Sequence, residues 1–213
     1  MRLYNAGLSP NALRVRAVAA ELGLDLEVVD VDLRDPEAKA RDLGPLNPNR
    51  KVPVLVDGDF VLWESRAING YLASLKPEAG LHPADARRRA VVDQWCYWGA
   101  IHLEPTVRKV TMERFFKKAF GMGQPDPAAL ESGIREVAQI LPILDGALAG
   151  RDWITGELSL ADFANATAFL YRVPAALDLS AAPNVRAWID RLEARPSWQA
   201  ATAPVKAFIA AHA

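Results

Sequence analysis

The chain has 213 residues, 51% hydrophobic and 24% charged, with a formal net charge of −1. That balance excludes the basic footprint of a nucleic-acid-binding protein, since Arg87-Arg88-Arg89 and Lys117-Lys118 have acids interspersed nearby, and the apolar runs break well short of the ~18 residues a membrane span needs. The single cysteine, Cys96, rules out an internal disulfide and a Cys-x-x-Cys redox pair, and with no signal peptide visible after Met1 the expectation is a cytoplasmic protein.

Residues 1–76 alternate short β-like runs with helical ones, the pattern of βαβ units. Leu3-Tyr4 opens a strand. Ser9-Pro10 then starts a helix carrying Leu13, Ala17, Val18 and Leu22, with Gly23 as its C-cap. Leu26 to Val31 alternates as a second strand, and the polar stretch Asp35 to Leu43 is predicted as a short helix ending before Gly44-Pro45. Two strands follow, joined at Asp57-Gly58, a dipeptide that accepts positive φ. A third helix begins at Glu64-Ser65 and is predicted to bury Ile68, Tyr71, Leu72 and Leu75 as one stripe. The resulting order is β-α-β-α-β-β-α.

Residues 77–84 carry two prolines and a glycine and read as a linker between that unit and residues 85–213, which read as an all-helical bundle. One apolar face there is Ile134, Val137, Ile140, Leu141, Leu144 and Leu148, where Pro142 is expected to kink or locally break the helix. Another is Val185, Trp188, Ile189 and Leu192, and Ser159-Leu160-Ala161-Asp162 has capping-box spacing.

Ser9 sits between the first strand and a helix opened by proline, among free helix N–H donors. It either caps that helix or donates a hydrogen bond that favours a bound thiolate, assisted by the helix dipole. At Glu64-Ser65 a second helix N-terminus offers an anion socket. Beside it, a cis Val52-Pro53 bond would present the Val52 N–H and C=O to an extended ligand. An edge backbone next to an anion socket suits a small peptide and suggests glutathione. Glu64 then faces its γ-glutamyl ammonium and Ser65 the adjacent carboxylate, with an N-cap pair as the structural alternative; Lys51 or Lys39 neutralises the glycyl carboxylate, or is a solvated surface lysine. Trp95, Trp98, His102, Thr106 and Lys109 follow one helical face, with Phe115 and Phe116 beyond. Such a stripe is core or interface, or else its C-terminal part walls a pocket for an electrophilic second substrate to which Leu8 and Asn11 contribute. His82, His102 and His212 have no ligand spacing with Cys96, so no metal is expected, and Gly-rich phosphate loops are absent.

Five motifs in order resemble the soluble glutathione S-transferase superfamily over essentially the whole chain. They are Ser9-Pro10 ahead of Arg14-Val15, Lys51-Val52-Pro53, Glu64-Ser65-Arg66-Ala67-Ile68, Leu81-His82-Pro83-Ala84-Asp85, and Ser159-Leu160-Ala161-Asp162 after Gly156. The resemblance implies a thioredoxin-like domain with cis Pro53, an all-helical domain, and a homodimer with active sites near its interface. It further implies Ser9 as the thiolate-stabilising residue, Val52, Glu64 and Ser65 as glutathione contacts, and Asp162 as a structural cap. The N-terminal half is most similar to the serine-type phi and theta classes. Cysteine-type members need a cysteine at or beside Ser9, and the zeta-type isomerases a Ser-Ser-Cys-Ser run where this chain has Ser9-Pro10-Asn11-Ala12. The expected activity is transfer of the glutathione thiolate to an apolar electrophile. Glutathione-dependent isomerisation, dehalogenation, reduction or ether cleavage uses the same thiolate, and a non-enzymatic binding module uses the same fold.

Overall fold

The computed structural model describes residues 1–212. Strands β1 (Arg2–Asn5), β2 (Glu27–Asp30), β3 (Val54–Asp57) and β4 (Phe60–Trp63) form one sheet in the order β2-β1-β3-β4. β1 runs parallel to β2 and antiparallel to β3, and β4 is antiparallel to β3. Helices α1 (Pro10–Glu21), α2 (Pro36–Ala38, continued by a π turn over Lys39–Leu43) and α3 (Ser65–Ser74) complete the thioredoxin-like order. Asp57 pairs with Phe60, so the hairpin loop is Gly58-Asp59, one residue later than Asp57-Gly58. Gly58 alone there takes positive φ, +62°, which glycine adopts without a Cβ penalty. In α3, Ile68 and Leu72 are fully buried and Tyr71 partly, but Leu75 in the last turn is 42% exposed, where the helix outruns the surface that covers it.

After a 3₁₀ turn at Pro77–Ala79, helices α4 (Ala86–Trp98), α5 (Glu104–Thr111) and α6 (Lys117–Ala119) form a continuous rod. Two π turns splice it, Gly99–Leu103 and Met112–Phe116. Each widens the helix locally and rotates the face that follows, which a 3.6-residue extrapolation does not anticipate. Helices α7 (Pro127–Ala147), α8 (Leu160–Ala166), α9 (Pro183–Glu193) and α10 (Pro196–His212) follow. α7 runs unbroken through Pro142, contrary to the expected local break. Val137, Ile140, Leu141, Leu144 and Leu148 are buried, while Ile134 is 41% exposed because the neighbouring Gly133 takes the contact instead. A Cβ on Gly133 would lie 2.9 Å from Lys109 Cβ, so glycine is what lets α5 and α7 cross this closely.

One apolar core runs from Leu3, Leu55 and Leu72 under the sheet to Val107, Leu144, Phe163 and Trp188 in the helical unit. At roughly 1.5–3 kcal/mol per buried large side chain, that continuity holds the two halves in fixed relation. Arg195 and Ser197 add hydrogen bonds from the start of α10 to Glu21 at the end of α1. Among the described residues no helix is long and apolar enough to cross a membrane.

Candidate active site

Ser9 closes the turn out of β1. Its N–H donates to the Ala6 carbonyl (2.9 Å), and its hydroxyl oxygen accepts the Ala12 N–H at 3.3 Å. The capping reading therefore holds, yet it uses only a lone pair. The hydroxyl hydrogen has no acceptor among the described residues and is free to donate. Capping and donation to a ligand are compatible.

α3 starts differently. Helices α1, α2, α4 and α7 are capped by the side chains of Ser9, Asp35, Asp85 and Asp126, whereas Glu64 at the N-cap of α3 makes no capping bond. Glu64 is held at φ +72°, a conformation costing a non-glycine residue about 1–3 kcal/mol. The first-turn N–H groups of Ser65, Arg66 and Ala67 are without acceptors among the described residues, which leaves the anion socket open. The N-cap pair is thus not formed: Ser65 is the first helical residue, and its hydroxyl accepts from Arg14 Nη1 at 2.7 Å.

Arg14 enters the sequence reading only inside the motif Ser9-Pro10 ahead of Arg14-Val15, with no role of its own. It is fully buried and donates through Nη1 to Asn11 Oδ1 (3.0 Å) and Ser65, and through Nη2 to Thr167 Oγ1 (2.6 Å) and the Glu104 carboxylate. Arg66 Nη2 reaches the same Glu104 oxygen at 2.5 Å, while its Nε donates to the Cys96 carbonyl at 2.8 Å. One carboxylate on α5 thus sits between guanidinium groups from α1 and α3, across the seam of the two structural units. Burial lowers the Arg14 pKa to about 10, opposed by the Glu104 charge, so Arg14 remains a cation at neutral pH. Its sequence signal was an arginine inside the apolar run Leu13 to Val18.

Beside Pro10 and Asn11 lies a cavity of about 340 Å³. Glu104, Arg108, Thr111, Met112, Phe116, Phe120 and Met122 wall it on one side, with Thr167, Ala168 and Tyr171 on the other. Of the residues predicted to line such a pocket, Asn11 does. Leu8 packs its side chain against the core and accepts the Tyr171 hydroxyl on its carbonyl at 3.0 Å. His102, Thr106 and Lys109 are not in the lining, and Lys109 is turned to Glu136 across α7, with Nζ to oxygen distances of 2.6 and 2.7 Å. The face toward the cavity is instead Glu104, Arg108 and Thr111; the residue inserted at the π turn Gly99–Leu103 carries the Trp95–Trp98 stripe on to the buried Leu103, Val107 and Val110, beside that face. Trp95 and Trp98 meet edge to face at 5.0 Å and pack on the core, and Phe115 is buried, so these aromatics are structural.

Val52-Pro53 is a cis bond, and neither the Val52 N–H nor its carbonyl has a hydrogen-bond partner among the described residues. Lys51 is exposed and Lys39 half-buried at the start of the π turn, both without ion pairs among the described residues. Burial pushes the Cys96 thiol up to about 12, against the attraction of Arg66 and Arg14, so it is inert as a nucleophile at neutral pH.

Comparison with known proteins agrees with this geometry. Residues 1–74 match the family model for the glutathione S-transferase N-terminal domain, and residues 103–196 that for its C-terminal domain. The chain is 36% identical to glutathione S-transferase 3 of Zea mays, over 96% of this chain and 94% of that one. It is 33% identical to a probable glutathione S-transferase, GSTF2, of Oryza sativa subsp. japonica, over 93% and 94% of the two chains. The solved structure of maize glutathione S-transferase I in complex with an atrazine glutathione conjugate superposes with a TM-score of 0.83 at 29% identity, covering 96% of this chain and 97% of that one.

Proposed function

Because the chain belongs to the glutathione S-transferase family, we propose that Ser9 donates its hydroxyl hydrogen to the sulfur of bound glutathione and that the resulting thiolate attacks an electrophile held in the adjoining cavity. The observation that carries this reading is the position of Ser9. Its hydroxyl hydrogen is unused, it stands at a helix N-terminus, and the two residues after it, Pro10 and Asn11, form the cavity wall. A hydrogen bond to a charged partner contributes about 1.5–3 kcal/mol, or one to two pKa units at about 1.36 kcal/mol each, which makes the thiol reactive near neutral pH.

The unpaired Val52 N–H and C=O bind the cysteinyl backbone, with Pro53 shaping the turn. Ser65 and the open N-terminus of α3 take the γ-glutamyl carboxylate, Glu64 its ammonium group, and Lys39 or Lys51 the glycyl carboxylate. In this reading residues 1–76 hold glutathione, 77–84 connect, and 85–213 supply the electrophile wall. Glutathione is a co-substrate, and no metal takes part.

Isothermal titration with reduced glutathione is expected to show one saturable site per chain, and addition of an electrophile to consume thiol. Ser9→Ala should cost about 1 kcal/mol of stability through the lost cap and lower kcat/KM by roughly ten- to a hundredfold through the lost hydrogen bond. Unchanged turnover in that variant removes Ser9 from the chemistry.

A homodimer fits the surface. Phe60 (44% exposed), Val61 and Trp63 on the edge strand β4, with Val91, Tyr97 (63%) and Ile101 (64%) on the rod, present large apolar side chains to solvent. Sedimentation equilibrium should return twice the 23.3 kDa chain mass. A monomer at micromolar concentration leaves those side chains unexplained and rejects the assignment.

A further inference from the structure

We infer that the electrophile taken by this site carries a carboxylate, and that Arg108 receives it. The inference rests on the transferase reading and specifies the acceptor. Apolar walls such as Met112, Phe116 and Met122 suit a hydrocarbon or aromatic body. The selectivity lies in the polar groups that remain unspent. Thr167 accepts from Arg14 and donates to the Ala164 carbonyl at 3.0 Å. Tyr171 donates to the Leu8 carbonyl, and Thr111 to the Arg108 carbonyl at 3.2 Å. Arg14 and Arg66 share one oxygen of the Glu104 carboxylate and offset its charge.

Two donors are left. Asn11 must turn its Oδ1 to Arg14, which has only donors to offer, and this leaves its Nδ2 unspent. The Arg108 guanidinium has neither a carboxylate within 4 Å nor a side-chain hydrogen bond among the described residues. An exposed arginine on an ordinary helix face needs no partner. Arg108 differs in lining a cavity whose other free donor is Asn11 and whose one carboxylate, Glu104, is already held by Arg14 and Arg66. The second Glu104 oxygen has no hydrogen bond among the described residues, but Arg14 and Arg66 already offset its charge, so the free donors favour an anionic substituent. A planar carboxylate matches the arginine fork, and the apolar walls weaken the competition from water.

The test compares 4-chloro-3-nitrobenzoate with its uncharged analogue 4-chloro-3-nitrobenzamide. With either compound the glutathione thiolate attacks the carbon bearing chlorine. The C–S bond forms, the C–Cl bond breaks, chloride leaves with the bonding pair, the thiol proton passes to solvent, and nothing is oxidised or reduced. The quantity read is the benzoate to benzamide ratio of kcat/KM, each value corrected for the uncatalysed rate. Arg108→Met is expected to lower that ratio by about ten- to a hundredfold, mainly through KM for the benzoate, and Arg108→Lys to restore part of it. The melting temperature should stay at the wild-type value because the Arg108 side chain makes no hydrogen bond or ion pair among the described residues. A ratio that is the same in wild type and Arg108→Met, with the benzamide still turned over, overturns the inference alone. Turnover of neither compound by the wild type overturns the transferase reading, and the inference with it.

Discussion

Arg14→Gln is expected to cost about 3–5 kcal/mol of stability and to weaken glutathione binding. A buried pair broken by removing one partner leaves its other groups stranded. Here the stranded groups are the Ser65 and Thr167 hydroxyls and the Asn11 amide oxygen, and the Glu104 carboxylate loses one of its two guanidinium partners. Glu104 keeps Arg66, so the loss falls mainly on the hydroxyls that Arg14 holds in place. Ser65 is the one that matters for binding, because it stands at the open N-terminus of α3. Arg14→Lys is expected to recover little: an ammonium lacks the planar fork whose two terminal nitrogens serve four acceptors from α1, α3, α5 and the turn after α8. Urea unfolding and glutathione titration on both variants check the claim. A lysine variant with wild-type stability and affinity shows that charge alone suffices and defeats the geometric account.

The same network shows how far the chain could be read without its fold. Ser9-Pro10, Val52-Pro53 and Glu64-Ser65 were legible because each is a local device whose meaning is set by neighbours within a few residues: a cap, an edge, a helix start. The element order followed from periods of two and 3.6 residues for the same reason. Arg14, Glu104 and Thr167 were not legible as a unit, since no local pattern links residues 90 and 153 positions apart. The cavity face failed for another reason. His102, Thr106 and Lys109 continue a regular helix, and the helix is not regular: the π turn at Gly99–Leu103 carries the stripe on to the buried Leu103, Val107 and Val110, and it is their neighbours Glu104, Arg108 and Thr111 that face the cavity. A periodic reading has no term for an inserted residue, and such insertions recur at functional sites.

Asp162→Ala is expected to cost about 4–5 kcal/mol, a large part of the 5–15 kcal/mol that keeps a domain folded. The carboxylate is fully buried. It accepts the Ile154 N–H (3.0 Å) and the Trp188 indole N–H (2.9 Å) on one oxygen, and the Ser159 N–H (2.9 Å) and hydroxyl (3.2 Å) on the other. Burial pushes its pKa up to about 6, and those four donors hold it from going higher, so the group is ionised at pH 7. Removing it strands three N–H groups, each at about 1–3 kcal/mol. Asp162→Asn separates shape from chemistry: the amide is isosteric but turns an NH₂ on two donors, so it should lose nearly as much. Ser159→Ala forfeits the hydroxyl's bonds to Asp162 and from Thr155 and should cost about 1–2 kcal/mol. Urea denaturation at pH 7 orders the three, and an asparagine variant as stable as wild type rejects the donor argument. The effect should also reach the active site. α8 begins at the residues Asp162 pins and runs directly into the turn Thr167–Phe169, whose first residue holds Arg14. Under conditions where Asp162→Ala is still folded, its glutathione affinity should fall below that of Ser159→Ala, because loosening the start of this short helix loosens Thr167 at its end.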